Sequence, residues 1–350
     1  MPRSLASPHD QKVTFVELFF DLVFVFSVTQ VVHLLHDGVT WRSVGEAVLV
    51  FWLVWWGWTQ FTWALNAADT THPRVELATL VATAVAFFMA VAVPGAFHGG
   101  SLWFALAYVV VRLVGLAIYD WVAWEDPSQR AAVRLFSAVS VAGLASALLG
   151  GVLGGTAQYA LWGVTILLDV TAAAIGGRNE GWNLHPEHFG ERHGLFVIIA
   201  LGETLIVAAS GVTATEWTAR SVVVALLAVA VTCALWWSYF TRAKPDLDRA
   251  LESRRGAAQS TLARDAYSLA HFPMLCGLVL YAEVVQEALG HPAEPLPSGG
   301  RVALALGLVL FVGGMAWPMW RATRRLMRAR LVLVTATAGV VLLATGVDAP

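Results

Sequence analysis

Val13-Thr14-Phe15-Val16-Glu17-Leu18-Phe19-Phe20-Asp21-Leu22-Val23-Phe24-Val25-Phe26 opens an apolar run that continues to about Leu35, and its only carboxylates are Glu17 and Asp21. A helix of about 20 residues crosses the hydrocarbon core of a bilayer, so this run is long enough to do so. A carboxylate at that depth costs a few kcal/mol unless it faces a bundle interior, a partner charge or a water-filled space. A second apolar run, Gly194–Val212, holds Glu203 in the same way. Acids kept inside membrane-length apolar runs predict a membrane protein with a polar interior.

Composition agrees. Apolar residues make up 58% of the 350-residue chain and charged residues 13%, against about 25% charged in soluble domains. Mean hydropathy is +0.67. A net charge of −2 leaves no broad basic surface and argues against a nucleic-acid partner. Cys233 and Cys276 both fall in apolar spans, which excludes a disulfide framework.

Hydropathy predicts an all-α fold, a polytopic transmembrane bundle of about eleven helices forming a single integral membrane domain over 1–350. The spans fall at about 13–36, 44–65, 75–96, 101–119, 131–153, 157–176, 193–212, 218–241, 265–288, 301–320 and 330–347. With the N-terminus in the cytoplasm, 18 of the 22 lysines and arginines lie in cytoplasmic segments, three lie outside, and Arg112 lies within a span. By the positive-inside rule this predicts a cytoplasmic N-terminus and an outside C-terminus, with membrane lipids as the immediate partners. Residues 177–192 read as a polar cytoplasmic loop. The charged segment 242–264 and the run Arg321–Arg330 read as lying beside anionic headgroups. Trp55-Trp56-Gly57-Trp58 echoes Trp236-Trp237-Ser238-Tyr239, and Asp21 echoes Glu203. That is compatible with a 6 + 5 tandem repeat, halves 13–176 and 193–347, of the kind found in transporters.

At about 1.5 Å of rise per residue, Glu17 and Asp21 lie roughly 6 and 12 Å from the cytoplasmic start of their span, Arg112 and Asp169 about 10 Å, His271 about 9 Å and Glu203 about 15 Å. The i, i+4 spacing of Glu17 and Asp21 puts both on one helix face. Four acids against Arg112 predict an acidic, cytoplasm-facing cavity suited to a proton, a metal cation or a small cationic solute. The competing reading is an internal salt-bridge network that fixes helix packing. Gly202, beside Glu203, reads as a site of close approach for a helix or solute. Trp52, Trp55, Trp56, Trp58 and Trp63 crowd one span and read as bulky packing, with a cation–π wall as the alternative. Gly150, Gly151, Gly154 and Gly155 read as close helix contact.

His185, His188 and Glu191 are weak metal-ligand candidates, because their spacing matches no standard zinc motif. No glycine-rich phosphate loop, dinucleotide fingerprint or nucleophile-elbow motif is present, so no cofactor is expected.

The segment Glu17–Phe26 resembles the opening signature of bacterial low temperature requirement protein A. Glu191-Arg192-His193-Gly194-Leu195-Phe196-Val197-Ile198-Ile199-Ala200-Leu201-Gly202-Glu203-Thr204 resembles its second signature, and Tyr267-Ser268-Leu269-Ala270-His271-Phe272-Pro273 a third. His193 stands where that pattern calls for an aromatic residue. The resemblance implies a multi-pass bacterial inner-membrane protein and picks out the acids and His271 that depth also picks out, with Glu191, Arg192 and Gly202 supporting the motif; it implies no particular chemistry. Three functional classes remain. A proton- or cation-linked transporter or channel predicts a continuous route past Glu203. An intramembrane enzyme predicts a dead-end pocket open to lipid. A structural or stress-adaptation protein predicts acids that are all paired and dry.

Overall fold

The computed structural model describes residues 4–7, 11–36, 38–176, 184–214 and 218–343. Among them the chain forms eleven continuous helices: α1 Phe15–His33, α2 Trp41–Ala67, α3 Pro73–Ala92, α4 Ser101–Glu125, α5 Pro127–Leu153, α6 Gly155–Gly176, α7 Pro186–Ala214, α8 Ala219–Glu252, α9 Gly256–Gly290, α10 Ser298–Thr323 and α11 Arg328–Leu343. Nine of these, all but α7 and α11, are long and apolar enough to cross a membrane among the described residues. The expected spans 193–212 and 330–347 lie on α7 and α11. Several α7 side chains beyond Ile206, and residues 344–347, fall outside what the structure describes.

One boundary differs from the sequence expectation. Residues 186–192, read as part of a loop, are helical: α7 starts at Pro186, with proline at the first position, where its missing N–H is no loss. Residues 177–183 of that loop lie outside the described residues.

The chain packs as two compact units. The first takes in the described residues of Met1–Gln30, Val48–His193 and Leu251–Ser268; the second those of Val31–Ala47, Gly194–Ala250 and Leu269–Pro350. In the first unit α2 is the enclosed helix, with 83% of its most apolar window buried against 39% for α3 and 28% for α6. Its tryptophans fill that interior: Trp52 stacks on Trp56 and Trp55 on Trp58, with ring centroids 5.3 and 4.9 Å apart. The outer helices turn Phe88, Leu167 and similar side chains outward, as a lipid solvent requires.

The four glycines expected at a helix contact divide into two roles. A Cβ on Gly151 would lie 2.5 Å from Ala105 Cβ and 2.9 Å from Ser101 O of α4, and one on Gly150 would meet the Trp162 ring of α6 at 2.8 Å. Both therefore sit at close crossings. Gly154 and Gly155 instead form the α5–α6 turn, with φ of +63° and +56° and open space around each Cβ position. Gly151→Val is expected to lower stability by about 1–3 kcal/mol through overpacking, read as a lower melting temperature in detergent. Gly163→Ala, which meets nothing, is expected to do no harm. Equal melting temperatures for the two variants would contradict the close crossing.

In the second unit α9 is the enclosed helix. It crosses α10 where Gly277 and Gly307 face one another; a Cβ on Gly307 would fall 2.8 Å from Gly277 O. It also meets α8, where Tyr281 donates to Ala228 O at 2.7 Å. Two helices contain a π turn, Tyr239–Ala243 in α8 and Ala263–Leu269 in α9.

Candidate functional site: a buried charge ladder

The i, i+4 acids of α1 meet an i, i+4 pair of basic residues on α7. Glu17 Oε1 lies 2.9 Å from His188 Nε2 and 3.6 Å from Arg192 Nη1. Arg192 Nη2 also donates to Asp21 Oδ1. Residue numbers rise together along both sides, so α1 and α7 run parallel here, as two helices with an odd number of spans between them must. Glu17 also accepts from the N–H and Oγ1 of Thr14, each at 2.9 Å, which holds it at the third residue of α1.

Asn66 sets the proton on His188. The His185 N–H donates to Asn66 Oδ1 at 2.9 Å, and Asn66 Nδ2 donates back to His185 O at 2.9 Å. The amide orientation follows from these two backbone bonds, so Nδ2 is the atom facing His188 Nδ1 at 3.0 Å. His188 Nδ1 is then the acceptor, and Nε2 carries the hydrogen that it donates to Glu17.

Aromatic side chains close the ladder. Trp58 Nε1 donates to Asp21 Oδ1 at 2.7 Å, and the Arg192 guanidinium lies over the Trp58 ring, 5.6 Å from its centroid. The tryptophan cluster thus serves packing, hydrogen bonding and cation–π contact together. His193 sits among rings: centroids of Phe189, Trp58 and Tyr267 lie 4.6, 5.0 and 5.2 Å away. Trp55 and Trp63 donate to the carbonyl and hydroxyl of Ser268, at 2.7 and 2.9 Å, tying α2 to the π turn of α9.

A second buried pair joins α4 to α6. Both Arg112 Nη1 and Nη2 donate to Asp169 Oδ1 at 3.1 Å. Arg112 also donates to Tyr108 Oη and, through Nε, to Gln60 Oε1, while Gln60 Nε2 donates to Arg112 O at 3.1 Å. This pair is electrically closed: one guanidinium, one carboxylate.

The ladder is not closed. Glu17 and Asp21 share one guanidinium, and a neutral His188 adds no charge. Glu17, Asp21, Arg192, Arg112 and Asp169 all have 0% exposure and His188 1%. Among the described residues, Asp21 Oδ2 and Arg192 Nε have no hydrogen-bond partner.

The remaining candidates lie elsewhere. Glu203 and His271 belong to the second unit. Glu203 is half-buried on α7. His271 is buried on α9, its Nε2 2.8 Å from Tyr239 Oη. A Cβ on Gly202 would meet nothing within 4 Å, so no described neighbour approaches closely there. Glu191 is exposed on α7 and takes no part in the ladder. Among the described residues no three His, Cys, Asp or Glu side chains come together as a metal-holding group, and both His188 ring nitrogens are already engaged.

Sequence reasoning placed Arg192 in a loop and overlooked Trp58, Asn66, Tyr108 and Gln60 as partners. The signal was present for the first: His188 and Arg192 repeat the i, i+4 spacing of Glu17 and Asp21.

The sequence pattern of the family described as "Bacterial low temperature requirement A protein (LtrA)" matches residues 12–350. The uncharacterized protein RA0937 of Rhizobium meliloti (strain 1021) is 28% identical over 327 residues, which cover 90% of this chain and 79% of that protein. No solved structure matches. With signature residues buried at the α1–α7 ladder, nine membrane-length helices and a family match over nearly its whole length, the chain belongs to the bacterial low temperature requirement A family and is a multi-pass membrane protein.

Proposed function

We propose that the protein is a proton-linked transporter or channel and that the Glu17–His188–Arg192–Asp21 ladder is its proton-binding element. The observation that supports this is the charge count: two carboxylates, one guanidinium and an imidazole that accepts at Nδ1, all without meaningful exposure. Deprotonated, the ladder carries one negative charge in excess. One proton makes it neutral. An unbalanced charge away from water is costly, so gaining or losing that proton goes with a change in access to water. Histidine is suited to pass it. A proton arriving on His188 Nδ1 displaces the Asn66 amide, which is bonded to His185 at the start of α7, so protonation acts on the backbone there. A proton suits the ladder better than a metal cation or a cationic solute, because Arg192 already bridges the two acids. The asymmetry of lysines and arginines supports a cytoplasmic N-terminus and an outside C-terminus, and membership of the family supports the bacterial inner membrane.

Purified protein in vesicles with a trapped pH dye tests this reading. Wild type is expected to pass protons under an imposed gradient at a rate that depends on pH. Glu17→Gln fixes the ladder as neutral and is expected to abolish the pH-dependent flux while the protein stays folded. Undiminished pH-dependent flux in folded Glu17→Gln would remove the ladder from the mechanism. The second reading, a fixed structural brace, is favoured by the complete burial and pairing of every charged group in the ladder. It requires Glu17→Gln to lower the melting temperature, and wild type to pass no protons.

A further inference from the structure

A group of arginines in the second unit stands apart from the ladder. Arg242 lies in the π turn of α8, and Arg324, Arg325, Arg328 and Arg330 lie at the α10–α11 turn. None of these five forms an ion pair among the described residues, and all but Arg330 are exposed. The acids near Arg242 in sequence are taken: Asp248 pairs with Lys244 and Asp246 with Arg249. Arg330 Nη1 donates to Ser238 O at 2.6 Å, which fastens the start of α11 to α8. Ser238 lies one helical turn before Arg242, so the bond brings Arg330 to the end of α8 that carries Arg242. Two guanidiniums from different helices at one end of the bundle, neither paired with a carboxylate among the described residues, ask for an anion.

The flanking chemistry says which kind. Arg321 and Arg324 lie over the rings of Trp317 and Trp320, 5.6 and 5.3 Å from the centroids. Both tryptophans are partly exposed, at 45% and 38%, and this pairing of indole with cation belongs at a membrane–water interface. Arg324 is the one non-glycine residue with positive φ among the described residues, at +58°, a conformation that disfavours any residue with a Cβ; the turn thus keeps an arginine where glycine would fit more easily. Guanidinium forks match phosphate oxygens.

The geometry points to a binding site for the phosphate headgroup of an anionic phospholipid, held by Arg242 and Arg330 between α8 and α11, with Arg324, Arg325 and Arg328 around it. The site is independent of the proton ladder.

Native mass spectrometry of the purified full chain, with phosphatidylglycerol or phosphatidylcholine added to the micelles, tests it. Wild type is expected to retain phosphatidylglycerol in preference to phosphatidylcholine. Arg242→Gln and Arg325→Gln are each expected to weaken that retention about fivefold, the usual contribution of one basic residue near anionic lipid. Arg220→Gln, at the opposite end of α8, is expected to leave it unchanged. Arg242→Gln is also expected to melt no lower than wild type in phosphatidylcholine, because Arg242 is exposed and forms no ion pair among the described residues. Equal retention of the two lipids, or an equal loss in Arg220→Gln, would overturn the site in favour of general surface charge. Displacement of the lipid by millimolar inorganic phosphate would overturn the lipid assignment in favour of a soluble anion.

Discussion

Arg192→Gln is expected to destabilise the protein by about 3–5 kcal/mol, the usual consequence of removing one partner of a buried ion pair. The effect is large because two carboxylates, Glu17 and Asp21, lose their only guanidinium, and neither has any exposed surface. Trp58 loses its cation at the same time. Adding Asp21→Asn to Arg192→Gln is expected to recover part of the loss, since one stranded charge goes with it. Recovery is incomplete because Glu17 and His188 remain. Thermal unfolding of the four proteins in one detergent measures the coupling. Strictly additive losses would mean that Arg192 and Asp21 do not interact.

Arg112→Met is expected to cost a similar 3–5 kcal/mol, by leaving Asp169 charged and buried and by taking the partner from Gln60 and Tyr108. Here the double variant should behave differently. Arg112→Met with Asp169→Leu removes both members of a closed pair, and such replacements are often neutral or stabilising. A larger recovery of the melting temperature is therefore expected in this pair, where only the neutral Gln60 and Tyr108 stay without their partner, than at Arg192 and Asp21. Equal recovery at both sites would contradict the distinction between a closed pair and a ladder with one charge in excess.

Much of the fold is legible in the sequence because lipid imposes a simple rule: backbone polar groups must be satisfied within each span, so apolar runs of sufficient length become helices. Eleven helices follow from that rule. The start of α7 does not, because hydropathy ends where charge begins, and His185–Arg192 is charged. The residues are helical because their polar face meets the acids of α1, a tertiary fact that a window along the chain does not contain. The pairing of Arg112 with Asp169 was foreseeable from a shared depth within their spans. Gln60 was not, because an amide in a tryptophan-rich span carries no signal of its direction. The glycines show the same limit: Gly150, Gly151, Gly154 and Gly155 look alike in sequence, yet two admit neighbouring helices and two turn the chain.

Charge counting shows the effect of one misplaced residue. With Arg192 assigned to a loop, the interior holds an excess of acids and suggests a cation cavity. With Arg192 between Glu17 and Asp21, the excess falls to a single charge on the ladder.

Infrared difference spectroscopy of the purified protein, titrated across about pH 5–8 where histidine changes charge, tests the one-proton ladder most directly. A ladder that binds one proton predicts a carboxyl or imidazole signal that titrates in wild type, is lost in Glu17→Gln, and persists in Arg112→Met with Asp169→Leu. A wild-type spectrum with no such signal, or one unchanged by Glu17→Gln, would contradict it.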